Sequence, residues 1–86
     1  MNKYQQKPES VLDLHGKTCH EARVLLEHLL VECNYHHIRI ITGKGTFREK
    51  VGVLRDYVKK YLKENDIHFN QSKIEDGGEG AFEVYF

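Results

Sequence analysis

The chain has 86 residues, 30% of them charged, with thirteen basic and thirteen acidic side chains and a formal net charge of zero. That length supports one small domain, burying roughly 60–65% of its unfolded surface, and no apolar run is long enough to cross a bilayer. Zero net charge argues against purely electrostatic, nonspecific nucleic-acid binding, although the charge is unevenly distributed.

Residues 1–9 are polar, hold the single proline, Pro8, and read as a flexible arm without the apolar stretch of a signal peptide. The domain proper is expected over 10–86. Val11 to His15 reads as a short strand. Thr18-Cys19-His20-Glu21 has the capping-box form S/T-x-x-E. Behind it Ala22, Leu25, Leu26, Leu29, Leu30 and Cys33 keep helical spacing, which predicts an amphipathic helix to about Glu32, with Asn34 as its stop. His37-Ile38-Arg39-Ile40-Ile41-Thr42 is β-rich and leads into Gly43-Lys44-Gly45. Thr46-Phe47-Arg48-Glu49 is a second capping-box form. A stripe of Val51, Leu54, Val58, Tyr61 and Leu62 then predicts a helix to about Glu64, stopped by Asn65. Gly52 inside this stripe costs about 1 kcal/mol against alanine; either the helix starts near it or it permits close packing. Ile67 to about Ile74 reads as a third strand, 75–80 as a turn, and Ala81 to Phe86 as the last strand.

The order is thus β-α-β-α-β-β. Helical crossovers run the first three strands in one direction, and the glycine-rich turn sets the last antiparallel to the third. The expected architecture is a two-layer α/β sandwich, a four-stranded mixed sheet with two helices on one face.

Cys19 and Cys33 fall near opposite ends of the first helix, about 20 Å apart at 1.5 Å per residue, too far for a disulfide. Free thiols fit a reducing, cytoplasmic setting. From Lys44 to Lys63 seven basic residues face two acids; from Glu64 onward Glu64, Asp66, Glu75, Asp76, Glu79 and Glu83 face Lys73 alone. A basic face backed by an acidic one can bind a polyanion at zero net charge, although a basic run by itself is usually a solvated helix face.

Two turns carry the chemistry. Both follow strand ends on the same edge of the sheet, where open α/β sheets bind ligands. Strand alternation puts Asp13 and His15 on one side and Leu12 and Leu14 on the other. An Asp two residues before a His can hold one imidazole nitrogen and leave the other for proton transfer; taken alone the pair is more often a surface pair without a catalytic role. Gly43-Lys44-Gly45 before a helix can offer backbone N–H groups and a lysine charge to a phosphate, without the spacing of a Walker A loop. A plain strand–helix turn explains that triplet as well. Surface imidazoles are the simplest account of His20, His28, His36, His37 and His68. A low thiol pKa at Cys19 is conceivable at a helix start, but nothing marks it as a nucleophile. Glu75 and Asp76 could contribute oxygen ligands to Mg²⁺, though solvated turn carboxylates explain them equally well.

The segments LDLHG at 12–16, ITGKG at 41–45, GVLR at 52–55 and GGEGA at 77–81 occur in that order, and the chain resembles the Smr (small MutS-related) domain over roughly 10–86. The resemblance implies the fold of the C-terminal domain of translation initiation factor three. It also implies nucleic-acid binding, with endonuclease activity in several members, which nick DNA or cleave RNA, including messenger RNA on stalled ribosomes. Smr domains occur alone or within larger proteins; a stand-alone, monomeric member is the expectation here. Carried over, the family's Asp-x-His falls on Asp13 and His15 with Gly16 behind them, and its glycine loop on Thr42, Gly43, Lys44 and Gly45. Many members have a His-Ser pair shortly after that loop; this chain has Phe47 and Arg48, and Arg48 can hold a phosphate. The leading expectation is an endonuclease with Asp13 and His15 as catalytic pair and Gly16, Thr42, Gly43, Lys44, Gly45 and Arg48 at the phosphate. No cofactor is assigned beyond Mg²⁺, which a DNA substrate would favour. The alternatives are a non-catalytic nucleic-acid-binding module, in DNA repair or recombination or on the ribosome, and a protein-interaction domain using Tyr85 and Phe86.

Overall fold

The computed structural model describes residues 8–32, 34–43, 49–73 and 80–86, and for 49–52 the backbone alone. The elements are β1 (Ser10–Asp13), α1 (Cys19–Glu32), β2 (His37–Ile41), α2 (Glu49–Glu64), β3 (His68–Gln71) and β4 (Ala81–Tyr85). They form one four-stranded sheet in the order β1-β2-β4-β3. β1 pairs parallel to β2, with Asp13 opposite Ile41, and β4 pairs antiparallel to both β2 and β3. The first three strands therefore share one direction, as expected, but β4 lies between the second and the third.

Alternation along the strands explains the layering. Ile38 and Ile40 of β2 and Phe82 and Val84 of β4 point to one face, where they form one core with Leu14, Ala22 and Leu26 from the α1 side and Leu54, Val58 and Leu62 from α2. Both helices thus cover the same face. The opposite face carries Val11 and Asp13, His37, Arg39 and Ile41, Ala81, Glu83 and Tyr85, and His68 and Asn70.

Local chemistry sets the helix ends. The Thr18 hydroxyl accepts the Glu21 N–H at 3.1 Å while the Glu21 carboxylate accepts the Thr18 N–H at 2.9 Å, the reciprocal pair that the capping box requires. The carboxyl of Glu21 is held below its usual range by these bonds to Thr18. The corresponding Thr46 lies outside the described residues. α2 runs unbroken through Gly52, so the glycine does not mark its start. Its end is a Schellman motif: the Ile67 N–H bonds Leu62 O at 2.9 Å and the Asp66 N–H bonds Lys63 O at 3.1 Å. Ile67 packs against the core to which Leu62 belongs. Asn65 caps through its side chain, donating to Tyr61 O at 2.9 Å, but the residue that turns the chain is Asp66, at φ 56°. An L side chain there is strained by roughly 1–2 kcal/mol, so Asp66→Gly is expected to raise the unfolding free energy by about 0.5–1 kcal/mol, read as a higher urea midpoint at unchanged m-value.

β1 and β3 are shorter than the apolar runs suggest. β1 stops at Asp13 because its carboxylate captures the His15 N–H. β3 starts at His68 because Ile67 completes the cap of α2. Ser72 still donates its N–H to Ala81 O at 3.0 Å, and Ile74 lies outside the described residues.

Candidate functional site

The turn after β1 is built by Asp13, Leu14 and Gly16. Asp13 Oδ1 accepts the His15 N–H at 3.0 Å, an Asx turn. The Lys17 N–H reaches back to Leu14 O at 3.0 Å, closing a β-turn whose third residue is Gly16 at φ 77°. Positive φ at that place suits glycine; a Cβ there would meet no atom within 4 Å, so the backbone angle, not crowding, selects the residue. Leu14 anchors the turn from below. Its side chain is fully buried and its N–H bonds Ile41 O at 2.7 Å.

This frame brings Asp13 and His15 together as the sequence suggested. The same Oδ1 lies 2.5 Å from His15 Nδ1. A carboxylate only accepts, so Nδ1 donates, and in the neutral ring Nε2 then carries the lone pair. The His15 side chain is 70% exposed, and no described residue hydrogen-bonds Nε2. The bonds from the His15 ring and backbone hold the Asp13 carboxyl below its usual range, so it stays ionised near neutrality. An exposed imidazole with one nitrogen fixed by a carboxylate and the other basic is equipped to take a proton from a bound hydroxyl or water.

Gly43 lies two residues beyond Ile41, the register partner of Asp13, so the start of the second turn follows a strand end adjacent to that of the first. Gly43 has φ 91°, which again favours glycine. Two residues expected at the phosphate, Thr42 and Gly43, make contacts within the fold. Thr42 is wholly buried, with its hydroxyl 3.4 Å from Gly80 O, so it cannot meet a ligand. The Gly43 N–H donates to Gly80 O at 3.0 Å, beside the Thr42 N–H at 2.8 Å, so that amide is already committed. Gly80 thus ties the loop to β4, a role that no local sequence signal announces. Lys44, Gly45, Phe47 and Arg48 lie outside the described residues, as do Glu75 and Asp76. Among the described residues no three His, Cys, Asp or Glu side chains are grouped to hold a metal ion.

The basic stretch is real where it is described. Lys59, Lys60 and Lys63 are exposed on α2. Arg55 and Lys59, with Asp56, Gln71 and Phe82, line a recess of about 270 Å³. Two readings are corrected. Glu83 does not belong to an acidic surface: it is 4% exposed and accepts from Arg39 Nε at 2.7 Å, from His37 Nε2 at 2.6 Å and from the Ser72 hydroxyl. His37 is correspondingly no surface imidazole, with a side chain 14% exposed, whereas His20, His28, His36 and His68 are exposed. Cys19 is a half-buried free thiol, and Cys33 lies outside the described residues. No described helix is long and apolar enough to cross a membrane.

Comparison with known proteins agrees with this fold. The Smr domain family matches residues 12–86. The ribosome rescue factor SmrB of Haemophilus influenzae is 39% identical over 77 residues, which span 86% of this chain but 44% of that protein. The chain therefore corresponds to less than half of that relative. Among solved structures, the Smr domain of Thermus thermophilus MutS2 superposes with a TM-score of 0.75 at 27% identity, covering 88% of this chain and 95% of that one. YdaL, a stand-alone small MutS-related protein from Escherichia coli, superposes at 0.72 and 25% identity, covering 88% and 63%. With the family match running over residues 12–86 and the fold shared with these solved structures, the chain belongs to the Smr domain family.

Proposed function

We propose that this chain is a nucleic-acid-binding endonuclease of the Smr type, cleaving phosphodiester bonds with His15 as proton-transfer group and Asp13 as the carboxylate that orients it. The observation that supports this reading most is the fixed Nδ1 of His15, 2.5 Å from Asp13 Oδ1, on a side chain still 70% exposed. With RNA as substrate, Nε2 takes the proton of the 2′-hydroxyl, the 2′-oxygen attacks phosphorus as the P–O5′ bond breaks to leave a 2′,3′-cyclic phosphate, and the 5′-oxygen takes up a proton from water. With DNA, an activated water must replace the 2′-oxygen, and a divalent ion such as Mg²⁺ would supply that activation. The relative SmrB, a ribosome rescue factor, favours RNA on the ribosome as target. Lys44, Gly45 and Arg48, next in the chain to the loop described above, are the groups expected at the phosphate, with Gly16 allowing its close approach.

The test is incubation of the purified protein with single-stranded RNA, duplex RNA and supercoiled DNA, each with and without EDTA. Cleavage of any of them supports the reading, and the EDTA arms assign the metal requirement. Binding without cleavage of all three would favour the non-catalytic module, which Phe47 and Arg48, standing where many Smr domains carry His-Ser, make the second reading.

Two variants refine the assignment. Asp13→Asn keeps an oxygen for the His15 N–H but removes the charge that favours the protonated ring. It is expected to slow turnover severalfold or more while leaving the dissociation constant unchanged; equal loss of both would make Asp13 structural. Lys44→Ala and Arg48→Ala are expected to weaken binding at low salt. Each should lower the slope of log affinity against log salt by roughly 0.7–0.9, the counterion released per phosphate contact. The loss should not depend on base sequence, because phosphate contacts do not read bases. Unchanged slopes would move the nucleic acid away from this loop.

A further inference from the structure

The helix-free face of the sheet carries a row of three rings on three adjacent strands. In register, His37 of β2 stands opposite Tyr85 of β4, and Tyr85 stands opposite His68 of β3. The His37 and Tyr85 rings stack with centroids 4.7 Å apart at 20°. The Tyr85 and His68 rings lie 5.7 Å apart, tilted by 45°. His68 is exposed and sits on the edge strand, so the stack is open at that end.

The same face carries the candidate site. Asp13 lies in register with Ile41, whose side chain shares the face of His37, four residues earlier on the same strand. That separation is about 13 Å at 3.3 Å per residue, within reach of a short single-stranded segment. Between the two rows lie Val11, 51% exposed, and Arg39, whose ion pair at 2.7 Å neutralises Glu83. Glu9, at the corner of the ring row, has its carboxylate occupied by the backbone N–H groups of His36 and His37 at 2.5 and 3.1 Å. The path from the rings to His15 is thus apolar or charge-compensated.

We infer that this face is a stacking platform for unpaired bases, which selects single-stranded nucleic acid and feeds it to the Asp13–His15 turn. The inference rests on the proposed role of that turn and adds the strandedness of the substrate. Every base has a π-face, so aromatic platforms take single strands without reading sequence. In a duplex those faces are already stacked on neighbouring bases, so the row offers a duplex nothing.

Fluorescence anisotropy tests it with three labelled probes of equal length: single-stranded RNA, single-stranded DNA and duplex RNA. The proteins are the wild type, His68→Ala, Tyr85→Leu and Tyr85→Phe. His68 is exposed on an edge strand, so its truncation leaves the core intact, and circular dichroism confirms folding of each variant. His68→Ala and Tyr85→Leu are expected to weaken single-strand binding by roughly 5- to 100-fold each, with duplex binding unchanged and Tyr85→Phe close to wild type. If Tyr85→Leu does not fold, His68→Ala decides alone. Single-strand affinity unchanged in His68→Ala, or duplex affinity falling as much, overturns the platform while leaving the site proposal standing. A wild type that binds none of the three probes overturns the site proposal and the platform together.

Discussion

Replacing His15 with alanine is expected to lower the cleavage rate by 10²–10⁴-fold, the usual contribution of a positioned general acid or base. The fold should survive, because the side chain is 70% exposed and the turn it occupies is held by other groups: the Asp13 carboxylate on the His15 N–H, the Lys17 N–H on Leu14 O and the buried Leu14. None of these needs the imidazole. Affinity for nucleic acid should change little, since the ring moves protons rather than anchoring phosphates. Single-turnover cleavage and anisotropy on the same preparation separate the two quantities. A folded His15→Ala protein that cleaves at the wild-type rate would remove His15 from the chemistry.

The largest expected effect on stability lies at Glu83. Burial alone would raise its pKa, but the hydrogen bonds from Arg39, Ser72 and His37 outweigh burial and hold the carboxyl below the usual glutamate range. A carboxyl depressed in the folded state stabilises the fold above its unfolded pKa, about 4.3, and that stabilisation is lost as pH falls through the folded value. Urea titrations of the wild type should therefore show little change from pH 7 to 5 and a decline below about pH 4. Arg39→Met leaves Glu83 without its strongest partner in a setting 5% exposed. Breaking such a pair costs roughly 3–5 kcal/mol when both groups are dry; with Arg39 still 16% exposed, about 2–4 kcal/mol is expected here. Glu83→Gln in the same background should recover part of that loss, because the stranded charge goes with it. If Arg39→Met unfolds at the wild-type urea concentration, the pair contributes nothing net.

These two sites differ in how far the sequence announces them. Asp13, His15 and Gly16 were legible because their interactions span two or three residues: the Asx turn, the ring contact and the β-turn are all local. The Thr18–Glu21 cap is legible for the same reason. Glu83 was hidden because Arg39 and His37 are 44 and 46 residues away. One-dimensional counting made it one more acid in an acidic tail. The bonds of Thr42 and Gly43 to Gly80 O were hidden similarly, since that carbonyl comes from the far side of a helix and a strand. The directions of the strands followed from connection lengths, but the insertion of β4 between β2 and β3 depends on which edges match in register, and no local pattern encodes that. The position of Asp66, not Asn65, as the turning residue escaped because both types tolerate positive φ.

The placement of β4 has a consequence for how the molecule comes together. β1 and β2, with α1 across them, can associate early, and β3 follows α2 through a short cap. Yet β3 is not paired with β2; β4, which follows the other three strands in the chain, lies between them and pairs with both. Until Ala81–Tyr85 is available, the sheet is in two unpaired parts, linked through the packing of α1 against α2, with Ile38 and Ile40 lacking the Phe82 and Val84 beside which they are buried. Folding during synthesis is therefore expected to be deferred and then abrupt, with the central strand closing the sheet in one step. Loss of those five residues would leave a chain that collapses without acquiring a native sheet.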